Sequence, residues 1–242
     1  MSSKSNRNSR RSEKRNLKRN PTSYSSEPMP IVATVKPIKP LHAMTQVQFD
    51  YLESFENNVI TFGVGSAGTG KTYCAGAYAA DLLKEGLVDS IIITRPAVEA
   101  GESFGFLPGE LEEKYAPYLE PFRFVLNERL GKSYVDYLIK SGKIIASPLS
   151  FMRGRTFTNA IVILDEAQNT TPSQMKLFLT RIGQNCKVIV DGDITQKDIS
   201  GLSGLQDAIS RLRHVPSINV VEFTIDDVVR SGIVKDILLA YN

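Results

Sequence analysis

Gly65-Ser66-Ala67-Gly68-Thr69-Gly70-Lys71-Thr72 fits the spacing G-x-x-x-x-G-K-T of a phosphate-binding loop, the Walker A motif. Its flanks supply the context that the motif requires. Val59 to Val64 is an apolar, β-branched run of strand length, and Tyr73 to Glu85, rich in Ala and Leu, predicts a helix. Between them the glycines let the backbone turn its amide N–H groups inward around phosphate oxygens, and the helix N-terminus adds partial positive charge. Lys71 is then placed to reach the β- and γ-phosphates, and the Thr72 hydroxyl to ligate magnesium.

A second run completes this chemistry. Ala160-Ile161-Val162-Ile163-Leu164 reads as a buried strand ending in Asp165-Glu166-Ala167-Gln168. Asp165 is expected to hold the magnesium shell and Glu166 to orient or deprotonate water for attack on the γ-phosphate. A hydrophobic run followed by Asp-Glu says little alone, and much after a valid phosphate loop. Cys186 to Val190 is a further strand leading to Asp191-Gly192-Asp193-Ile194-Thr195-Gln196, which puts Gln196 at a strand tip as a γ-phosphate sensor.

Composition sets the limits. The 242 residues carry a net charge of +3, but residues 1–20 hold a local +7, leaving the remaining 222 at −4. Residues 1–40, rich in Ser, Asn, Arg, Lys and Pro, bury too little apolar surface to order themselves and read as a disordered basic arm. The arm is either a polyphosphate-binding extension or a solubilising tail. Residues 41–242 suffice for one substantial core and so for a single domain. No apolar run is long enough to span a membrane and no secretory signal opens the chain, so a cytoplasmic protein is expected. Cys74 and Cys186 lack metal-like spacing and read as buried thiols, and His42 and His214 are too few and too separated for a zinc site.

The remaining pattern alternates helix and strand, predicting an α/β fold with a mostly parallel sheet flanked by helices. Thr45 caps a helix with apolar spacing at Phe49, Leu52 and Phe55, in which Gln46 and Gln48 can read an adenine edge. Ser90 to Thr94 is a strand halted at Arg95-Pro96, and the Gly-punctuated run 97–109 lies where open sheets place ligand contacts. Helices are expected over Glu110 to Tyr115, Pro121 to Leu130 and Ser133 to Lys140, with Tyr115, Tyr118, Phe122 and Phe124 better explained by core packing than by base stacking. After a short strand at Lys143 to Ala146, Arg153-Gly154-Arg155 forms a doubly basic connection suited to phosphate or to a neighbouring subunit's site. Thr170-Thr171 caps a helix carrying Met175, Phe178 and Leu179 inward, with Arg181 near its end. A helix with Leu205, Ala208, Ile209 and Leu212 precedes a last strand, Asn219 to Phe223. Thr224-x-x-Asp227 resembles a capping box, and Arg230 falls on or beside a terminal helix.

From Thr45 onward these blocks resemble PhoH-family ATPases. The resemblance is carried by the phosphate loop and by Thr94-Arg95-Pro96-Ala97-Val98-Glu99-Ala100-Gly101-Glu102 and Phe104-Gly105-Phe106-Leu107-Pro108-Gly109. It continues through Met152-Arg153-Gly154-Arg155-Thr156, Asp165-Glu166-Ala167-Gln168-Asn169-Thr170-Thr171 and Gly192-Asp193-Ile194-Thr195-Gln196. It implies a RecA-like P-loop NTPase core similar to the first motor domain of superfamily 1 helicases, ATP and Mg2+ as cofactors, and a homo-hexameric ring. Ser231 departs from a family segment that usually has His after the arginine. The compact architecture and basic arm also resemble bacteriophage-encoded members, which would place the protein in a host cytoplasm.

The expected function is magnesium-dependent ATP hydrolysis coupled to binding or remodelling of RNA or single-stranded DNA. Two alternatives stand beside it, an ATP-dependent assembly ring that does not translocate and a small-molecule kinase. Closing the active site is expected to need an arginine from a neighbouring copy, with Arg153, Arg155, Arg181 and Arg230 as candidates and Arg181 or Arg230 able to act within its own chain instead.

Overall fold

The computed structural model describes residues 40–96 and 111–241. The arm reading of residues 1–39 and the ligand-loop reading of 97–109 lie outside the described residues. A six-stranded sheet forms the centre, all its neighbouring strands parallel. The elements run α1 (Gln46–Asn57), β1 (Ile60–Gly65), α2 (Lys71–Lys84), β2 (Ser90–Arg95), α3 (Leu111–Leu130), α4 (Lys132–Lys140), β3 (Ile144–Pro148), β4 (Ala160–Leu164), α5 (Pro172–Leu179), β5 (Cys186–Gly192), α6 (Gly204–Leu212), β6 (Ile218–Phe223) and α7 (Gly232–Tyr241). Strand order is β3-β2-β4-β5-β1-β6, the arrangement of a RecA-like P-loop core in which one strand separates the phosphate-loop strand from the strand bearing the acidic pair.

Period-two alternation divides the strands between two cores. Ile91, Ile93, Ile161, Ile163 and Ile189 face Tyr51 and Phe55 of α1, Ala75 and Tyr78 of α2, Phe122 and Leu126 of α3 and Val135 and Leu138 of α4. Val162, Leu164, Val188 and Val190 point the other way, onto Met175 and Phe178 of α5 and Leu205 and Ala208 of α6. Strands covered on both faces read as nearly unbroken apolar runs, which is why β4 is buried at every position.

Helices α1 and α3 differ from the sequence reading in ways that bear on packing. In α1 the inward face is Gln48, Tyr51 and Phe55, while Phe49 is 55 % exposed. The reading followed apolarity alone, whereas the Tyr51 hydroxyl finds a buried partner in Asp191 and takes the inward position. In α3 a single helix runs through Pro117 and Pro121 instead of breaking between them. Spaced by four and both exposed, the prolines share the solvent face, where carbonyls that lose their N–H donors are open to water. Among the aromatics of this helix Tyr118 and Phe122 are buried, whereas Phe124 is 73 % exposed.

Candidate functional site

A cleft of about 450 Å³ opens at the C-terminal ends of β1, β5 and β4, where parallel open sheets bind ligands. Lys71, Thr72, Asp165, Glu166, Gln196 and Arg230 all line it. The loop that forms its floor is held from several sides. Gly65 has φ +130°, and a Cβ there would stand 1.9 Å from the Phe223 carbonyl oxygen on β6, so only glycine lets the two strand ends meet. Val229 N–H donates to Gly68 O at 3.1 Å, and Gln48 Nε2 donates to Thr69 O at 2.8 Å. Gly70, in the left-handed region, starts α2 without a side-chain cap, leaving the first-turn N–H groups turned toward the cleft.

Lys71 is folded back into its own loop, donating to Gly65 O at 2.7 Å, Ser66 O at 2.8 Å and Thr69 Oγ1 at 3.3 Å. Burial pushes its pKa down, against the carboxylates of Asp191, Asp193, Asp165 and Glu166, which raise it. A poorly hydrated ammonium held by carbonyls, a hydroxyl and the Phe223 ring, 5.5 Å from its centroid, is well prepared to take a phosphate oxygen.

Across β5 from the loop, Asp165 prolongs the β4 ladder by donating its N–H to Thr94 O at 2.9 Å. Its side chain is 7 % exposed, and both oxygens are engaged. Oδ1 accepts the Glu166 N–H at 3.0 Å, and Oδ2 accepts Arg95 Nε at 3.0 Å and Nη2 at 2.5 Å. Glu166 has φ 54°, uncommon for a residue with a side chain, and this turn takes it off the strand direction into a half-exposed position. Gln168 Nε2 donates to Glu166 Oε2 at 2.7 Å while its Oε1 accepts the Asp193 N–H at 3.0 Å. Asp193 Oδ2 in turn accepts Gln196 Nε2 at 2.8 Å. Glu166 and Gln196 are thereby linked through the buried Gln168 and Asp193.

Thr72 and Asp165 offer a hydroxyl and a carboxylate to the cleft, hard oxygen donors of the kind magnesium takes. The residues present therefore fit Mg2+ together with a polyphosphate on the loop. No group of three or more His, Cys, Asp or Glu residues suited to holding a metal occurs among the described residues. Nor is any described helix long and apolar enough to cross a membrane.

The other candidates scatter. Gln48 is 4 % exposed and spends its amide on Thr69 O and on the Met44 N–H, so it braces the loop instead of facing a base. Gln46 donates to Asp50 on the exposed side of α1 and does not line the cleft. Arg153 and Arg155 are exposed and Arg181 half-buried, and none of the three lines the cleft. Arg230 does, just before α7 and against the phosphate loop, where a Cβ on Gly68 would meet its Nε at 2.9 Å. Residues without an assigned role in the sequence reading prove central. Arg95 and Gln168 engage the acidic pair; both fall in the blocks that carry the family resemblance, and Arg95 also stands out as a charge at a strand's C-terminal end.

A family model described as PhoH-like protein matches residues 40–242. Protein PhoH of Escherichia coli (strain K12) is 47 % identical over 207 residues, covering 84 % of this chain and 58 % of that protein. The PhoH-like protein of Bacillus subtilis (strain 168) is 48 % identical over 206 residues, covering 84 % and 65 %. That of Mycobacterium tuberculosis (strain ATCC 25618 / H37Rv) is 47 % identical over 205 residues, covering 84 % and 58 %. The chain thus spans roughly three-fifths of the length of these relatives. Among solved structures, the Pif1 helicase from Candida albicans aligns with a TM-score of 0.40 and 16 % identity, over 76 % of this chain and 40 % of that one.

Proposed function

The chain belongs to the PhoH family, and from that premise and the geometry of its cleft we propose that it is a magnesium-dependent ATPase coupled to the binding or remodelling of RNA or single-stranded DNA. The observation that carries the proposal is the convergence of Lys71, Thr72, Asp165, Glu166 and Gln196 on one cleft floored by the glycine-rich loop. The loop amides and the α2 N-terminus hold the phosphates, and Lys71 exchanges its carbonyl partners for β- and γ-phosphate oxygens. Thr72 and Asp165 would hold magnesium, which would supply charge neutralisation for the phosphates. Glu166, steadied by Gln168, accepts the proton of the attacking water, and Gln196 carries the state of the γ-phosphate to Asp193.

A water-directed carboxylate favours hydrolysis over transfer to a small acceptor. The basic arm and the exposed Phe124 at the cleft's edge support a nucleic-acid partner. The buried free thiols of Cys74 and Cys186 favour a reducing, cytoplasmic setting. Assembly into a homo-hexamer is part of the same reading. The test is release of inorganic phosphate from ATP with matched RNA and DNA panels while assembly state is monitored. Stimulation by one nucleic acid supports the proposal, whereas magnesium-dependent turnover indifferent to all of them reduces it to an ATPase without that partner.

A further inference from the structure

Asp165 is the carboxylate on which the proposed metal site depends, and both of its oxygens already accept hydrogen bonds, one on Oδ1 and two on Oδ2. Oδ1 is held by the Glu166 N–H, a backbone donor fixed by the 3-10 turn that Glu166 begins. Oδ2 is held by two nitrogens of Arg95, at the end of β2 beside β4. Only the second of these can leave without the backbone moving, because a guanidinium rides on a flexible stem. The pair lies largely out of water, Arg95 24 % and Asp165 7 % exposed, and another Arg95 contact reaches Glu166 Oε1 at 3.9 Å. A positive charge therefore stands against both carboxylates that the proposed chemistry uses. A cation and a guanidinium on the same carboxylate repel one another, so each weakens the hold of the other.

We infer that Arg95 is a positioning residue that occupies the divalent-cation seat on Asp165, keeping that carboxylate neutralised and aligned, and yields it only when magnesium and nucleotide arrive together. The inference rests on the nucleotide-site reading and adds a competition to it. Arg95 lowers the chain's affinity for Mg2+ without touching its affinity for the polyphosphate itself.

The experiment titrates Mg2+ into the full chain with a fluorescent, non-hydrolysable ATP analogue and compares wild type with Arg95→Gln and Arg95→Lys, each first checked for a cooperative melt. With the competitor removed, Arg95→Gln should reach half-maximal Mg2+-dependent binding at about tenfold lower Mg2+, within the usual range of coupling between linked sites. Arg95→Lys, which keeps charge but loses the planar two-nitrogen contact, should fall between. Metal-free analogue affinity, measured in chelator, should stay within about twofold of wild type, a margin below that coupling. If Arg95→Gln does not fold, the intermediate shift in Arg95→Lys carries the test. An unchanged Mg2+ midpoint in folded variants overturns the inference, as does a loss of metal-free affinity, which would make Arg95 a phosphate ligand. A wild-type chain that binds no analogue at any Mg2+ concentration overturns the nucleotide-site reading itself, and is told apart by its flat baseline.

Discussion

Asp191 lies on β5 between the phosphate loop and Asp165, with the Tyr51 hydroxyl donating to Oδ1 and Oδ2 buried without a partner. Burial, and then the Asp165 charge, push its pKa from 3.8 up to about 7, against the Tyr51 hydrogen bond and Lys71. The native chain therefore keeps a proton that the unfolded chain has released, and the sign follows. Stability from this group is fully present below the unfolded pKa and is lost as pH rises through the window from 3.8 to about 7. Asp191→Asn should melt like wild type near the lower limit and be the more stable protein at pH 8, by on the order of a few kcal/mol. Parallel melting curves across that pH range would remove Asp191 as the titrating group. The two site variants that separate binding from chemistry belong to the same scale. Lys71→Ala should weaken triphosphate binding, whereas Glu166→Gln should bind ATP and turn it over at least about a hundredfold more slowly, the usual contribution of a general base. Equal loss of binding in both would contradict the roles assigned to them. That Lys71 and Glu166 share one cleft was legible because motif spacing fixes where each falls. Gln48 was not, since a buried amide bracing a loop and an exposed amide reading a base look the same in sequence.

At the scale of elements, helix starts were more legible than helix interiors. Thr171 Oγ1 accepts the Gln174 N–H at 3.3 Å while Gln174 Oε1 accepts the Thr171 N–H at 2.8 Å, with Pro172 following, so the local residues alone specify where α5 begins. Thr171→Ala should cost about 1 kcal/mol in chemical denaturation, the usual value of an N-cap, and leave nucleotide affinity unchanged. A change in affinity without a change in stability would tie the cap to the site instead. The second capping box was equally visible, but it caps the short 3-10 turn Ile225–Asp227 and not α7. That turn ends near Val229, whose N–H donates to the phosphate loop. In α3 local propensity gave the wrong boundary because Phe122 and Leu126, packed beneath the prolines, hold the helix together through tertiary contacts.

At the scale of the molecule, alternation of strands and helices made the parallel sheet legible. It left strand order open, and that order sets β5 with Asp191, and Asp193 just past its end, between the phosphate loop and the acidic pair. The described unit holds one phosphate loop and one acidic pair, and if the site closes as helicase-type cores do, a neighbouring copy supplies an arginine. The structure divides the candidates. Arg230 already lies in its own chain's cleft, against Gly68. Arg153 and Arg155 flank Gly154, which has φ +76°, on an exposed turn outside the cleft. Arg181 keeps a buried Nε without a hydrogen-bond partner and stays half-buried, less able to reach across. The prediction is made by mixing Lys71→Ala chains with chains lacking one arginine. In a ring of head-to-tail interfaces, random mixing pairs an intact loop with an intact arginine at about one interface in four. Arg153→Ala or Arg155→Ala should therefore recover about a quarter of wild-type hydrolysis when mixed, well above either parent. Arg230→Ala, missing a residue from its own cleft, should recover nothing. Verified mixed assemblies without recovery for Arg153 and Arg155 would leave the shared site without its donor. Recovery with Arg230→Ala would instead mean that its place against Gly68 is given up when subunits meet.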